Sequence, residues 1–176
     1  YLLSYLPCQR GVSDNTLASY ETAFSRLLLY CEEVCGLPVR KITIEALSPD
    51  LIEGYLNWLC EKQGNSASTR NQRLSAIKAF FKFVRRENSR YIYSCERILQ
   101  IPMKKCPTPV LQYLSYEEIK EMLEKPEPST EKGFRDLLIL CLLYDTGARV
   151  SELLDLTVGD IHFGRYARVQ LTGKGN

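Results

Sequence analysis

Between Ser13 and Gly36 the apolar residues Leu17, Tyr20, Phe24, Leu27, Leu28, Cys31 and Cys35 recur at steps of three and four, which predicts a helix with one apolar face. Gly36 and Pro38 end it. A second helix is expected to open at Ser48-Pro49, a cap followed by the residue best suited to a first helical position, and to run through Leu51, Ile52, Tyr55, Leu56 and Leu59 towards Gly64. Trp58 falls at its core or core edge. A third, from about Ser68 to Asn88, places Leu74, Ile77, Phe80, Phe81 and Val84 on a single stripe. With a shorter piece around Tyr91 to Leu99, these helices can cover one another as a bundle of about 100 residues.

The pattern then breaks. Pro102, Pro107 and Pro109, with Lys104 and Lys105 among them, turn Gln100 to Tyr113 into an extended basic connection. A domain boundary is placed there, giving residues 1–105 and 106–176. Ser115-Tyr116-Glu117-Glu118 reads as a capping box opening a helix through Ile119, Met122 and Leu123, which Pro126 and Pro128 end. Gly133 to Asp145 is apolar almost all round, as expected of a helix buried in a larger domain, with Tyr144 as packing and Gly147 as the C-terminal stop. A short helix follows from Val150 to about Leu156. Ile161-His162-Phe163, a Gly164-Arg165 turn and the alternation from Ala167 to Thr172 read as the start of a small antiparallel sheet. Gly173-Lys174-Gly175-Asn176 is turn chemistry with no returning strand, so the second domain is expected to be truncated. The fold class expected is therefore mainly α: an N-terminal helical bundle, then the helical start of an α+β domain with an incomplete small antiparallel sheet.

Composition narrows the setting. With 45% hydrophobic and 25% charged positions and a net charge of +2, the 176 residues suit a globular protein and exclude collagen-like, low-complexity and wholly disordered chains. The longest apolar run, Leu137 to Tyr144, is far short of the roughly 18 residues a membrane span needs. No signal peptide or membrane segment is read, and a first residue that is Tyr rather than Met suggests a processed product or an excised segment. The seven cysteines are odd in number and form no Cys-x-x-Cys pair. Cys31, Cys35, Cys60 and Cys141 lie in apolar helical patterns and read as small hydrophobes in a reducing cytoplasm. His162, the single histidine, has no cysteine at ligand spacing, so no metal site is expected.

Charge is unevenly distributed. The first two helices are acidic, carrying Asp14, Glu21, Glu32 and Glu33 against Arg26, then Glu45, Asp50, Glu53 and Glu61 against Lys62. From Ser66 to Lys105 ten bases face only Glu87 and Glu96. Lys78, Lys82 and Arg86 stand at i, i+4 and i+8, one helix face, with Arg85 beside them. Such a face can track phosphates, and contacts to nucleic acid are expected from Arg70, Arg73, Lys78, Lys82, Arg85, Arg86, Lys104 and Lys105. A helical protein-interaction scaffold with an incidental basic face is the competing reading.

The strongest signal is Tyr144-Asp145-Thr146-Gly147-Ala148-Arg149-Val150-Ser151-Glu152-Leu153-Leu154-Asp155-Leu156, then Asp160-Ile161, then Gly173-Lys174-Gly175. This resembles the catalytic domain of the tyrosine recombinases, the phage integrase family. Leu114-Ser115-x-Glu117-Glu118-Ile119 is similar to the start of that domain. Asn15-Thr16-Leu17 with Tyr20, and Thr69-Arg70 leading to Leu74-Ser75-Ala76-Ile77-Lys78-Ala79-Phe80-Phe81, look like the family's core-binding, SAM-like bundle. The resemblance implies site-specific cleavage and rejoining of duplex DNA through a 3′-phosphotyrosyl link, without metal or cofactor. A homotetramer on two duplexes is implied for the intact enzyme. Arg149 matches the arginine that stabilises charge on the phosphate oxygens, Lys174 the hairpin lysine that gives a proton to the leaving 5′-oxygen, and Glu152 an acidic residue supporting the geometry. The family's His-x-x-Arg motif, its further His or Trp and its nucleophilic tyrosine find no match here, and none of the eleven tyrosines stands in the nucleophile's position. The chain is accordingly expected to bind DNA but to be inert by itself. A non-catalytic module that occupies recombination sites is the alternative.

Overall fold

Ser48 and Ser66 decide where two of the long helices begin. The Ser48 Oγ accepts the Leu51 N–H at 3.2 Å ahead of α2 (Pro49–Glu61), and the Ser66 Oγ accepts the Thr69 N–H at 3.2 Å ahead of α3 (Ala67–Glu87). The computed structural model of the chain describes residues 1–108 and 110–173. The chain divides into two compact units, Tyr1–Thr108 and Pro109–Asn176.

In the first unit α1 (Asp14–Glu33), α2 and α4 (Ile92–Leu99) pack around α3. Leu27, Ile52, Tyr55, Leu56, Leu74, Ile77, Phe81 and Ile98 are fully buried between them, and Trp58 sits at the edge of that core. The first residues, which the hydrophobic pattern leaves unassigned, form a single wide turn of π-helix, Tyr5–Gln9. Tyr1 and Tyr5 lie on a ledge made by Phe80 and Phe83, with ring centroids 5.3 Å apart for Tyr1–Phe80 and 4.5 Å for Tyr5–Phe83. The cysteines depart from expectation. Cys31 is buried, but Cys35 is exposed because α1 ends at Glu33, Cys60 and Cys141 are half-buried, and it is Cys95 of α4 that fills the core.

In the second unit the capping box of α5 (Tyr116–Glu124) is formed: the Ser115 Oγ accepts the Glu118 N–H, and the Glu118 carboxylate accepts the Ser115 N–H at 2.7 Å. α6 (Glu131–Thr146) starts on Thr130, whose Oγ1 accepts the Gly133 N–H, and ends at Gly147 in the left-handed conformation, φ 63°. A Cβ at Gly133 would lie 2.0 Å from the Glu127 carbonyl oxygen, so only glycine fits there. The expectation that α6 is buried on every side is corrected: Phe134, Leu138 and Tyr144 are each at least half exposed. α7 (Val150–Leu154) follows, then β1 (Ile161–His162) and β2 (Arg168–Val169), paired antiparallel with Ile161 opposite Val169. The fold is mainly helical with this one small sheet among the described residues. No described helix is long and apolar enough to cross a membrane.

Candidate functional site

Helix α3 carries six of the eight residues expected to contact nucleic acid, and its packing sorts them. Arg70, Leu74, Ile77, Phe81 and Val84 share the buried stripe, and Arg70 is 5% exposed. Arg70 thus does not face solvent as a phosphate contact would: its guanidinium points inward and donates from Nη1 to the Pro102 carbonyl and to Asn71 Oδ1, both at 3.2 Å. Lys78 is half-buried, and that burial, followed by repulsion from Lys82 and Arg70, lowers the pKa of its ammonium. Lys82 is exposed. Arg85 pairs with Glu96, and Arg86 donates to Glu87 from Nε and Nη2 at 2.9 and 2.7 Å and to the Tyr5 hydroxyl at 3.0 Å. Two of the expected contacts are thus engaged with carboxylates.

The basic connection is brought to this helix by a residue the charge pattern did not single out. Asn71 accepts the Lys104 N–H at 2.9 Å and donates to the Lys104 carbonyl at 2.7 Å, a two-point clamp that lays Lys104 beside α3. Lys105 and Lys104 are both exposed. Lys78, Lys82, Lys104 and Lys105 have no carboxylate partner among the described residues. Arg73 lies on a different flank. It donates to the Ser19 carbonyl at 3.3 Å and, with Arg26, Thr22, Gln63 and Asn65, lines a polar recess of about 210 Å³ between α1 and α3. Besides Arg73 itself, the sequence signal for that recess is Arg26, the lone base on an acidic helix.

The second cluster is built by the turn from α6 into α7. The left-handed Gly147 reverses the chain, Thr146 Oγ1 accepts the Ala148 N–H at 3.2 Å, and Arg149 follows as the residue that precedes α7. One turn on, the Glu152 carboxylate accepts the Arg149 backbone N–H at 3.0 Å and its Nη1 at 2.6 Å. Those two donors, the backbone first, hold the Glu152 carboxyl below its usual pKa. Glu152 is largely covered, with 13% of its side chain exposed, whereas the Arg149 side chain is 76% exposed. The result is an oriented guanidinium facing solvent, the form in which an arginine binds phosphate oxygens in pairs. Gly173 passes close to the same carboxylate: a Cβ there would lie 3.1 Å from Glu152 Oε1. Lys174 lies outside the described residues. Asp160 belongs to the turn before β1, where Thr157 donates to it from N–H and Oγ1 at 2.8 and 2.7 Å and lowers its pKa.

Residues 1–88 match the description of the phage integrase N-terminal SAM-like domain, and residues 112–176 match that of the phage integrase family. A putative integrase/recombinase of Sinorhizobium fredii, y4rD, is 35% identical over 176 residues, which cover 99% of this chain and 63% of the relative. Tyrosine recombinase XerD of Oceanobacillus iheyensis is 34% identical over 172 residues, covering 98% and 54%. The crystal structure of XerA recombinase aligns with 97% of this chain and 56% of its own at 22% identity and a TM-score of 0.39, too loose a superposition to add to these matches. The chain thus spans between about half and two thirds of the length of the curated relatives it matches. Two family descriptions meeting on one chain, the first covering half of it, leave a single conclusion: the chain belongs to the phage integrase family, the tyrosine recombinases.

Proposed function

We propose that the chain serves site-specific cleavage and rejoining of duplex DNA, gripping the duplex through residues 1–105 and shaping the reacting phosphate's site in residues 106–176. The observation that carries this reading is the Arg149–Glu152 pair: a guanidinium oriented by a covered carboxylate yet open to solvent. Attack of a tyrosine on a phosphodiester adds negative charge to the non-bridging oxygens, which a pre-oriented guanidinium stabilises without a metal. The new bond is a 3′-phosphotyrosyl link, the bond broken is that to the 5′-oxygen, and Lys174 supplies that oxygen's proton in this reading. Glu152 acts through Arg149 as a positioning residue. No tyrosine of these 176 residues matches the nucleophile's place, so this polypeptide alone binds DNA without forming a covalent adduct. Action in the cytoplasm, as a homotetramer on two duplexes, belongs to the same proposal.

For DNA the reading uses Lys78, Lys82, Lys104 and Lys105, which carry no carboxylate partner among the described residues. The recess with Arg26 and Arg73 supports a second placement, on the other flank of α3. Fluorescence anisotropy with duplex DNA across a salt series separates them. Affinity should fall steeply with salt and collapse in Lys78→Glu/Lys82→Glu. Each of Lys78→Gln and Lys82→Gln should reduce the salt slope by about 1, while Arg70→Met leaves it unchanged. Collapse in Arg26→Glu/Arg73→Glu instead would move the duplex to the recess. Affinity indifferent to all these charges would support the interaction-scaffold reading.

A further inference from the structure

A second recess, of about 560 Å³, opens where the π-helical turn crosses the start of α1 and the end of α3. Its size is within the range of about 300–1,000 Å³ typical of small-ligand sites. Two kinds of side chain line it. Tyr5 and Phe83, with ring centroids 4.5 Å apart, form one aromatic wall, and Tyr20 of α1 belongs to another. Arg10, Lys82, Arg85 and Arg86 supply the charge, and no carboxylate is among the described lining residues. Arg85 and Arg86 are held from outside by Glu96 and Glu87, and Arg86 also lies 4.7 Å over the Tyr5 ring. Arg10 and Lys82 have no acidic partner among the described residues.

We propose that this recess binds a nucleoside phosphate, with the base against Tyr20, since Tyr1 and Arg86 already cover the Tyr5 and Phe83 rings, and the phosphate between Arg10 and Lys82. The two parts of the ligand answer the two parts of the lining. An aromatic face accepts any base by stacking, and a phosphate monoester carrying about two negative charges at neutral pH matches two unpaired cations. An aliphatic ligand would leave the cations idle. A bare inorganic anion would leave the aromatic wall wet. The site does not rest on the duplex-binding reading, although Lys82 borders both surfaces.

The full chain is titrated with AMP by calorimetry, alongside adenosine, inorganic phosphate and a 5′-phosphorylated single-stranded oligonucleotide. AMP should bind with a Kd of about 1 mM or below, and adenosine and inorganic phosphate each at least about tenfold more weakly. Arg10→Glu and Tyr20→Ala should each weaken AMP about tenfold or more with unchanged melting of the first unit, while Lys78→Glu leaves AMP binding intact. If the oligonucleotide binds more tightly than AMP and loses that affinity in Arg10→Glu, the ligand is a strand end; if it does not exceed AMP, the ligand is a free nucleotide. Absence of heat with AMP, equal binding of inorganic phosphate, or indifference to Arg10→Glu would each overturn the site. Duplex anisotropy on the same variants keeps this outcome separate from that of the duplex reading.

Discussion

A carboxylate that accepts both the backbone N–H and the guanidinium of one arginine is costly to protonate, and Glu152 is in that position. Its folded pKa lies below the unfolded value of about 4.3, so the stability it contributes is fully present above that value and is lost as pH falls through the folded one. Asp160, held by Thr157, adds in the same direction. The native chain should therefore melt above Glu152→Gln at pH 7, and the gap should close on acidification below about pH 4. Circular dichroism melts at both pH values check it; a gap that stays constant would mean that the carboxylate's charge is not what orients Arg149. At this scale the sequence was most legible where a conformation follows from local order, as at Gly147, the left-handed stop of α6 just ahead of Arg149. Arg70 departs from the solvent-facing place that its charge predicts because register overrides charge. It stands four residues before Leu74 and seven before Ile77, on the stripe that the apolar residues themselves define.

Helices were legible through their ends. Ser48, Ser115 and Gly147 start or stop their helices by bonds within four residues, information a local reading contains, whereas the Ser66 cap of α3 lies two residues ahead of the start expected at Ser68. The π-turn at Tyr5–Gln9 and the docking of the connection on α3 were not legible, because each depends on partners more than thirty residues away in sequence. That docking has a direct consequence for trypsin, which cuts after Lys104 and Lys105. Asn71 holds both backbone groups of Lys104, and at about 1 kcal/mol net per hydrogen bond their loss should raise the population of the open connection roughly 10–30-fold. Asn71→Ala should thus be cleaved faster by that factor under conditions where cleavage follows the open population, with far-ultraviolet circular dichroism unchanged. A rate equal to the native one would show that the connection opens without breaking the Asn71 pair.

The two units differ most in what they bury. Every buried apolar side chain among the described residues belongs to the first unit except Leu153, while Val110, Leu111, Tyr113, Phe134, Val158 and Phe163 of the second are largely exposed. The sequence hides this imbalance, since the apolar run of α6 has the composition of a core helix and only the number of neighbours decides whether it is one. Burial sets stability at about 25 cal/mol per Å² of apolar surface, so the second unit should unfold at lower temperature or denaturant than the first. The single tryptophan, Trp58, lies against the first unit's core and reports on that unit alone. Heating should accordingly give two transitions by circular dichroism, of which only the later appears in Trp58 emission. Gly133→Ala, which drives a Cβ into the Glu127 backbone, should lower the earlier transition by an amount set by an overpacking cost of up to about 3 kcal/mol, less the roughly 1 kcal/mol that alanine returns in helix propensity. The emission transition should not move. If both signals changed together, the units would be stabilising one another, and the weak core of the second would be sustained by the first.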